Sequence, residues 1–242
     1  MEWSDDGIVL STRSHGETSA IVELLTREHG RHLGLLRGGR SRRHRPTLQQ
    51  GNSVRASWRA RLSEHLGTWD VELVNGRAGM IMGSPLALAG VGSFCALAHL
   101  LPEREPHCTL YEAACVIFDH IEADDIWPGL MVRWELGLLE DLGFGLDLSV
   151  CAKTGQSDDL VYVSPKSGRA VSAKAGRPFA DRLMALPGFL IESEDPSLAG
   201  QEVLDGFALT GFFLNTHIFA ARGLHVPEPR DRLINLLQRA LG

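Results

Sequence analysis

Over the first 75 residues the apolar positions fall in short runs and alternations that suit strands. Ile8-Val9-Leu10 and Ala20 to Leu25 are strand-like, Arg27-Glu28-His29-Gly30 offers a turn, and His32 to Leu36 follows. The clearest alternation runs from Val54 to Leu62. Val54, Ala56, Trp58, Ala60 and Leu62 point one way, and Arg55, Ser57, Arg59 and Arg61 point the other. After a turn near Glu64-His65, Trp69, Val71 and Leu73 repeat the pattern. About five short strands predict a small closed or partly closed barrel. Both tryptophans lie on the apolar side of their alternation, which predicts that they belong to the core rather than to a base-stacking surface.

From Ser84 the period changes to that of helices. Ser84-Pro85 reads as an N-cap followed by proline at the first helical position, with an Ala/Leu-rich segment running to Leu101. Thr109-Leu110-Tyr111-Glu112 has capping-box form, and Leu110, Ala114, Ile117 and Ile121 recur at helical spacing. A third helix follows Pro128, carries Leu130, Trp134, Leu138 and Leu142 on one stripe, and stops at Gly143. Between Leu146 and Gly176 the texture turns to Gly, Ser and Lys around Leu160-Val161-Tyr162-Val163, a small hairpin-like insertion. Helical pattern resumes at Phe179 to Leu186, at Gln201 to Arg222 and at Asp231 to Leu241. The fold class is therefore α+β. An OB-fold barrel is expected over 1–78, an α-helical domain over 79–145 and 177–242, and the insertion over 146–176.

Charge sharpens this picture. The window from His29 to Ser63 holds nine arginines in 35 residues and no Asp or Glu, while the whole chain has 24 Lys and Arg against 30 Asp and Glu. The formal net of −6 thus hides a strongly positive patch, which attracts a polyanion whatever the overall balance. The densest part is Arg37-Gly38-Gly39-Arg40-Ser41-Arg42-Arg43-His44-Arg45, where glycines would let the backbone approach phosphates and arginines supply forked donors. Arg37, Arg40, Arg42, Arg43, Arg45, Arg55, Arg59 and Arg61 are the candidate nucleic-acid contacts. With a symmetric turn after Leu62, Arg59 would face Asp70 and be neutralised, whereas Arg55 would have no acidic partner. If about six arginines meet phosphates, the log affinity for single strands should fall against log salt with a slope of roughly −4.

Catalytic signatures are missing from the chain. It has no GxxxxGK[ST], no Gly-Lys dipeptide, no GxSxG, no HExxH and no CxxC. Its ten histidines are scattered, and adjacent Asp124 and Asp125 point apart on any regular element. No run of about 18 apolar residues suggests a membrane span, and the acidic start lacks the layout of a signal peptide. Cys95, Cys108, Cys115 and Cys151 show no pairing pattern. A cytoplasmic, non-enzymatic binding protein without cofactor is expected. Two alternatives are an OB-fold protein that binds RNA or the ribosome, and an enzyme whose carboxylates or histidines assemble only in the fold.

Three stretches carry a resemblance. Asp6-Gly7-Ile8-Val9-Leu10 with Gly16-Glu17-Thr18-Ser19, the Arg37 to Arg45 stretch, and Leu138-Leu139-Glu140-Asp141-Leu142-Gly143-Phe144 followed by Leu146 and Cys151 look like the RecO family of bacterial recombination mediators. The resemblance covers essentially the whole chain. It implies binding to single- and double-stranded DNA (ssDNA and dsDNA) and annealing of complementary strands. It also implies action with RecR to load RecA onto DNA coated by single-strand-binding protein (SSB), by a protein that is monomeric on its own. It places a zinc ribbon at the insertion, where many members have two CxxC pairs. This chain keeps Cys151 but has Thr154, Ser172 and Ala175 at the other positions, so a degenerate ribbon without metal is expected. SSB ends in an acidic tail with a terminal aromatic residue, and Arg133 with Trp134 is the expected receptor for it. Leu224-His225-Val226-Pro227 with Arg230 and Arg232 resembles the family's C-terminal stretch.

Overall fold

In the computed structural model, which describes residues 1–191 and 200–241, the alternating N-terminal stretch forms five strands. These are β1 (Glu2–His15), β2 (Ser19–Thr26), β3 (Gly30–Leu36), β4 (Ser53–Arg59) and β5 (Thr68–Asn75). They close in the order β1-β2-β3-β5-β4, with β4 returning to β1. All neighbours are antiparallel except β3 and β5, which meet in parallel at Leu35 and Thr68. This is the OB arrangement, and closure removes the free strand edges.

The barrel core is built from Val22, Leu24, Val54, Ala56 and Val71 around Trp58 and Trp69, which face each other across β4 and β5. Each indole N–H is satisfied inside, Trp58 donating to the Leu66 carbonyl at 3.0 Å and Trp69 to that of Val22 at 3.1 Å. Two glycines make the room. A Cβ at Gly34 would lie 2.6 Å from the Trp69 ring, and one at Gly67, where φ is +66°, would lie 2.4 Å from that of Trp58. Both tryptophans are core residues, as their alternation predicts.

The register differs from the symmetric-turn expectation. Trp58 opposite Trp69 sets Arg59 against Thr68 and Ser57 against Asp70, so the Arg59 to Asp70 pairing does not form. β4 also ends at Arg59, which leaves Arg61 and Leu62 in a loop, and Leu62 is 47% exposed instead of pointing inward. The reason is a contact from far along the chain. The Arg104 guanidinium donates to the carbonyls of Ser63 and His65 and holds residues 60–67 as an open loop rather than a tight turn.

Residues 1–122 form one compact unit, in which α1 (Ala78–Gly83), α2 (Pro85–Ala98) and α3 (Cys108–Asp119) accompany the barrel. Ser84 caps α2 by accepting from the Ala87 N–H at 3.1 Å, with Pro85 first in the helix, as its sequence predicts. The capping box at Thr109 does not form. α3 starts at Cys108, which leaves Thr109 inside its first turn, and the Cys108 thiol donates to the Arg27 carbonyl at 3.2 Å.

One polar cluster ties α2 to the barrel. The buried Glu23 carboxylate accepts from Ser11, Arg31 and, at 2.8 Å, His99 Nε2, while His99 Nδ1 faces the Cys95 carbonyl at 2.6 Å. Acceptors on both ring nitrogens favour a charged imidazole. Burial pushes Glu23 up, but the bonds and charges of His99 and Arg31 outweigh it and hold the carboxyl at about 2. The bond to Glu23 raises His99 above its usual 6.5. The His99 contribution to stability is therefore complete below about pH 6.5 and is lost as pH rises through the raised value. That of Glu23 is complete above about pH 4.5 and is lost as pH falls toward 2. Melting temperature is thus expected to fall as pH rises from 6 to 9, and His99→Gln should flatten that slope; an equal slope in both proteins would contradict this assignment.

The second unit begins at Ala123. It contains α4 (Trp127–Asp141), β6 (Leu160–Val163), β7 (Ala170–Ser172), a short α5 (Ala173–Gly176), β8 (Met184–Ala185), α6 (Gly200–Leu214) and α7 (Glu228–Leu241). α4 ends in a Schellman turn. Gly143, at φ +87°, donates to Glu140 at 2.9 Å and Phe144 donates to Leu139 at 2.7 Å. The insertion contributes β6 and β7, and β8 from beyond it completes a three-stranded sheet in the order β7-β6-β8. The helix expected over Phe179 to Leu186 is instead a 3-10 turn at Arg177–Arg182 followed by β8. Phe179 leaves helical geometry there, at φ −129° and ψ 16°. Residues 192–199 and 242, part of the expected 177–242 segment, lie outside the described residues.

The helical run Gly200–Arg222 is long and apolar enough, by length and composition, to cross a bilayer. Half of it is buried within the protein, and Thr210 at its middle hydrogen-bonds to Glu135 of α4, so it reads as a core helix.

Candidate nucleic-acid interface

The basic stretch occupies the connection between β3 and β4, and it is ordered by its own backbone. Gly39 donates to Leu36, Arg40 to Thr18, Ser41 to Gly38, and Leu48 to His44 at 3.0 Å, while the Asn52 amide donates to the carbonyls of Pro46 and Thr47. The glycines serve this turn rather than a ligand. Gly38 takes φ +68°, and Gly39 is buried where a Cβ would lie 2.8 Å from that of Ala20.

The arginines divide by what they touch. Arg40 donates to the carbonyls of Gly16 (2.8 Å) and Glu17 (2.9 Å), anchoring the loop to the β1–β2 turn. Arg55, expected to be unpaired, meets Asp6 of β1 at 3.2 Å, and Arg59 meets Glu2 at 2.6 Å. β1 supplies both acids because it lies beside β4 in the closed barrel, a pairing that the β4–β5 alternation could not reveal. Arg37, Arg42, Arg43, Arg45 and Arg61 remain exposed, with no described ion pair. Arg13, on the part of β1 that runs toward the Gly16 turn and outside the acid-free window, is a further exposed arginine of this kind. Its only signal was a lone cation after the apolar Ile8 to Leu10 run.

A groove of about 540 Å³ opens beside this loop, between it and the α1–α2 corner. Arg45, Gln49 and Gln50 line one side, and Met82 and Leu88 line the other. The sequence offered no signal for it, because its two walls are about 40 residues apart in the chain.

In the second unit, Arg133 and Trp134 separate. Trp134 is 1% exposed and belongs to the helical core, so it forms no part of a surface receptor. Arg133 is half-buried, donates to the Phe189 carbonyl and lies 6.0 Å from the Phe189 ring. It opens onto a groove of about 340 Å³ with Leu136, Leu146, Leu148, Leu190 and Glu140. This groove sets a cation beside leucines, and Trp134 takes no part in it.

At the insertion, Cys151 Sγ accepts from the Ser172 N–H at 3.3 Å. Burial pushes its thiol up, but the hydroxyls of Thr154 and Ser172 and the amides of Ser172 and Lys153 outweigh it and bring it to about 6. One thiolate, two hydroxyls and the methyl of Ala175 do not fit the four-thiolate shell of a ribbon zinc. Hydrogen bonds to Cys151 and the β6–β7 pairing hold the hairpin here.

Comparison with known proteins agrees with this architecture. The family model for the recombination protein O N-terminal domain matches residues 1–77, and that for its C-terminal domain matches residues 82–223. A DNA repair protein RecO from Methylorubrum populi is 54% identical over 241 residues, covering 98% of each chain. One from Rhodopseudomonas palustris is 52% identical over 244 residues, covering 100% of this chain and 98% of its own. One from Mesorhizobium japonicum is 50% identical over 239 residues, covering 99% and 94%. With both family domains in place on an OB barrel and a helical unit, the chain belongs to the RecO family of DNA repair proteins.

Proposed function

We propose that the protein binds single- and double-stranded DNA through the β3–β4 loop, anneals complementary strands, and with RecR helps to load RecA onto SSB-coated DNA in the cytoplasm. The observation that carries this reading is the set of exposed guanidiniums, Arg37, Arg42, Arg43 and Arg45, on an ordered loop with no described carboxylate partner. Two DNA backbones repel each other, and cations held between them offset that repulsion while leaving the bases free to pair. The role changes no covalent bond, so the protein acts as a binding factor and not as an enzyme. Annealing of two bare complementary oligonucleotides, followed by fluorescence, tests it. Acceleration by the protein is expected, and an unchanged rate would overturn the reading.

The Arg133 groove supports a second element, reception of the SSB tail. The guanidinium would take a carboxylate and the leucines an aromatic side chain, with the carboxylate directed away from Glu140, which lines the same groove. Arg133→Ala is expected to weaken binding of an acidic peptide ending in Phe by about tenfold or more, measured by fluorescence anisotropy. Unchanged affinity would remove this groove from the account.

A further inference from the structure

The groove beside the basic loop has the chemistry of a nucleobase site. Its floor is apolar, made by buried Leu48, Ile81 and Val91, and its outer wall is Met82, 66% exposed, and Leu88, 49% exposed. Two such side chains left in water beside a basic loop offer a thioether and a branched alkyl group to the flat face of a ring. The polar side carries amides. The Gln49 side chain donates one N–H to the Arg45 carbonyl and that of Gln50 donates one to Leu10, both at 2.8 Å. Each retains a carbonyl oxygen and a second N–H, the acceptor and donor pair that a base edge can meet. Arg45 lines the same groove, and Arg42 and Arg43 continue the positive charge away from it along the loop.

We propose that this groove holds unstacked bases of a single nucleic-acid strand whose phosphates lie on Arg42, Arg43 and Arg45. The proposal rests on the reading of the loop as the DNA-binding surface and adds a means of telling a single strand from a duplex. In a duplex the base faces are stacked and cannot enter, so annealing would release the groove. A run of cations extending beyond the pocket suits a chain with a charge at every residue better than a peptide with one terminal carboxylate.

The test compares a thymidine 20-mer with an abasic strand of the same length and charge, titrated by fluorescence anisotropy against the wild type and a Met82→Ala, Leu88→Ala variant. Both side chains are exposed, so the variant should fold as the wild type does. The wild type is expected to bind the thymidine strand about tenfold or more tightly than the abasic one. The variant should lose that preference while binding the abasic strand unchanged. Equal affinity of the wild type for both strands would overturn the groove proposal and leave the basic loop standing. Binding to neither would overturn the DNA-binding reading itself. Displacement of the thymidine strand, but not the abasic one, by an acidic peptide ending in Phe would assign the groove to a peptide and overturn the proposal in that way.

Discussion

Replacing Arg230 by Ala is expected to destabilise the helical unit by about 3–5 kcal/mol, the largest single effect predicted for this chain. Arg230, on α7, is 3% exposed and meets Glu135 of α4, 0% exposed, through two parallel bonds, Nε to Oε1 at 2.9 Å and a terminal nitrogen to Oε2 at 2.8 Å. The same terminal nitrogen reaches the Phe207 carbonyl at 2.8 Å and the Thr210 hydroxyl at 3.1 Å, and that hydroxyl in turn donates to Glu135. Gly211 makes room for the guanidinium, since a Cβ there would lie 2.7 Å from it. Truncating the arginine leaves a buried carboxylate with one hydroxyl donor, and the cost is that of an unpaired interior charge rather than of one lost contact. Urea denaturation measures it. The control is Glu135→Leu with Arg230→Met, which removes both charges and is expected to recover most of the loss. A single variant as stable as the wild type would show that α7 does not depend on this cluster.

The second large effect concerns DNA. Changing Arg37, Arg42, Arg43 and Arg45 together to Ala is expected to lower affinity for a single-stranded oligonucleotide about 10²–10³-fold at 0.1 M salt, and to make the salt slope shallower by about 3. Arg40 is left in place because its guanidinium holds the loop to the Gly16 turn. The same measurement on Arg55→Ala with Arg59→Ala should change affinity far less, because Asp6 and Glu2 already neutralise those two. A larger loss from the strand pair than from the loop would move the binding surface onto the β4 face.

Period and punctuation in the sequence revealed the elements, but not their partners. The five strands, the Ser84 cap and the Gly143 stop are local events, fixed by side-chain alternation or by one residue's conformational preference, and each was legible. Register was not, because the tryptophan pair and the grip of Arg104, a residue remote in sequence, decide where β4 ends. The pairing of Arg55 and Arg59 depended on which strand closes the barrel. Trp134 and Arg133 are adjacent in sequence yet part company because neighbouring positions on a helix diverge by about 100°, one into the core and one to the groove. Arg230 left one readable trace, a cation at i with Leu233 and Leu237 at i+3 and i+7 on the buried face of α7, but its acid lies 95 residues earlier.

Exposed arginines of the β3–β4 loop are proposed to bring complementary strands together. The experiment is annealing of two complementary oligonucleotides coated with the cognate SSB, comparing the wild type with the Arg37, Arg42, Arg43 and Arg45 to Ala variant. Faster annealing is expected with the wild type, and no acceleration with a variant whose circular dichroism and melting temperature are unchanged. Equal acceleration by both proteins, or none by the wild type, would contradict it.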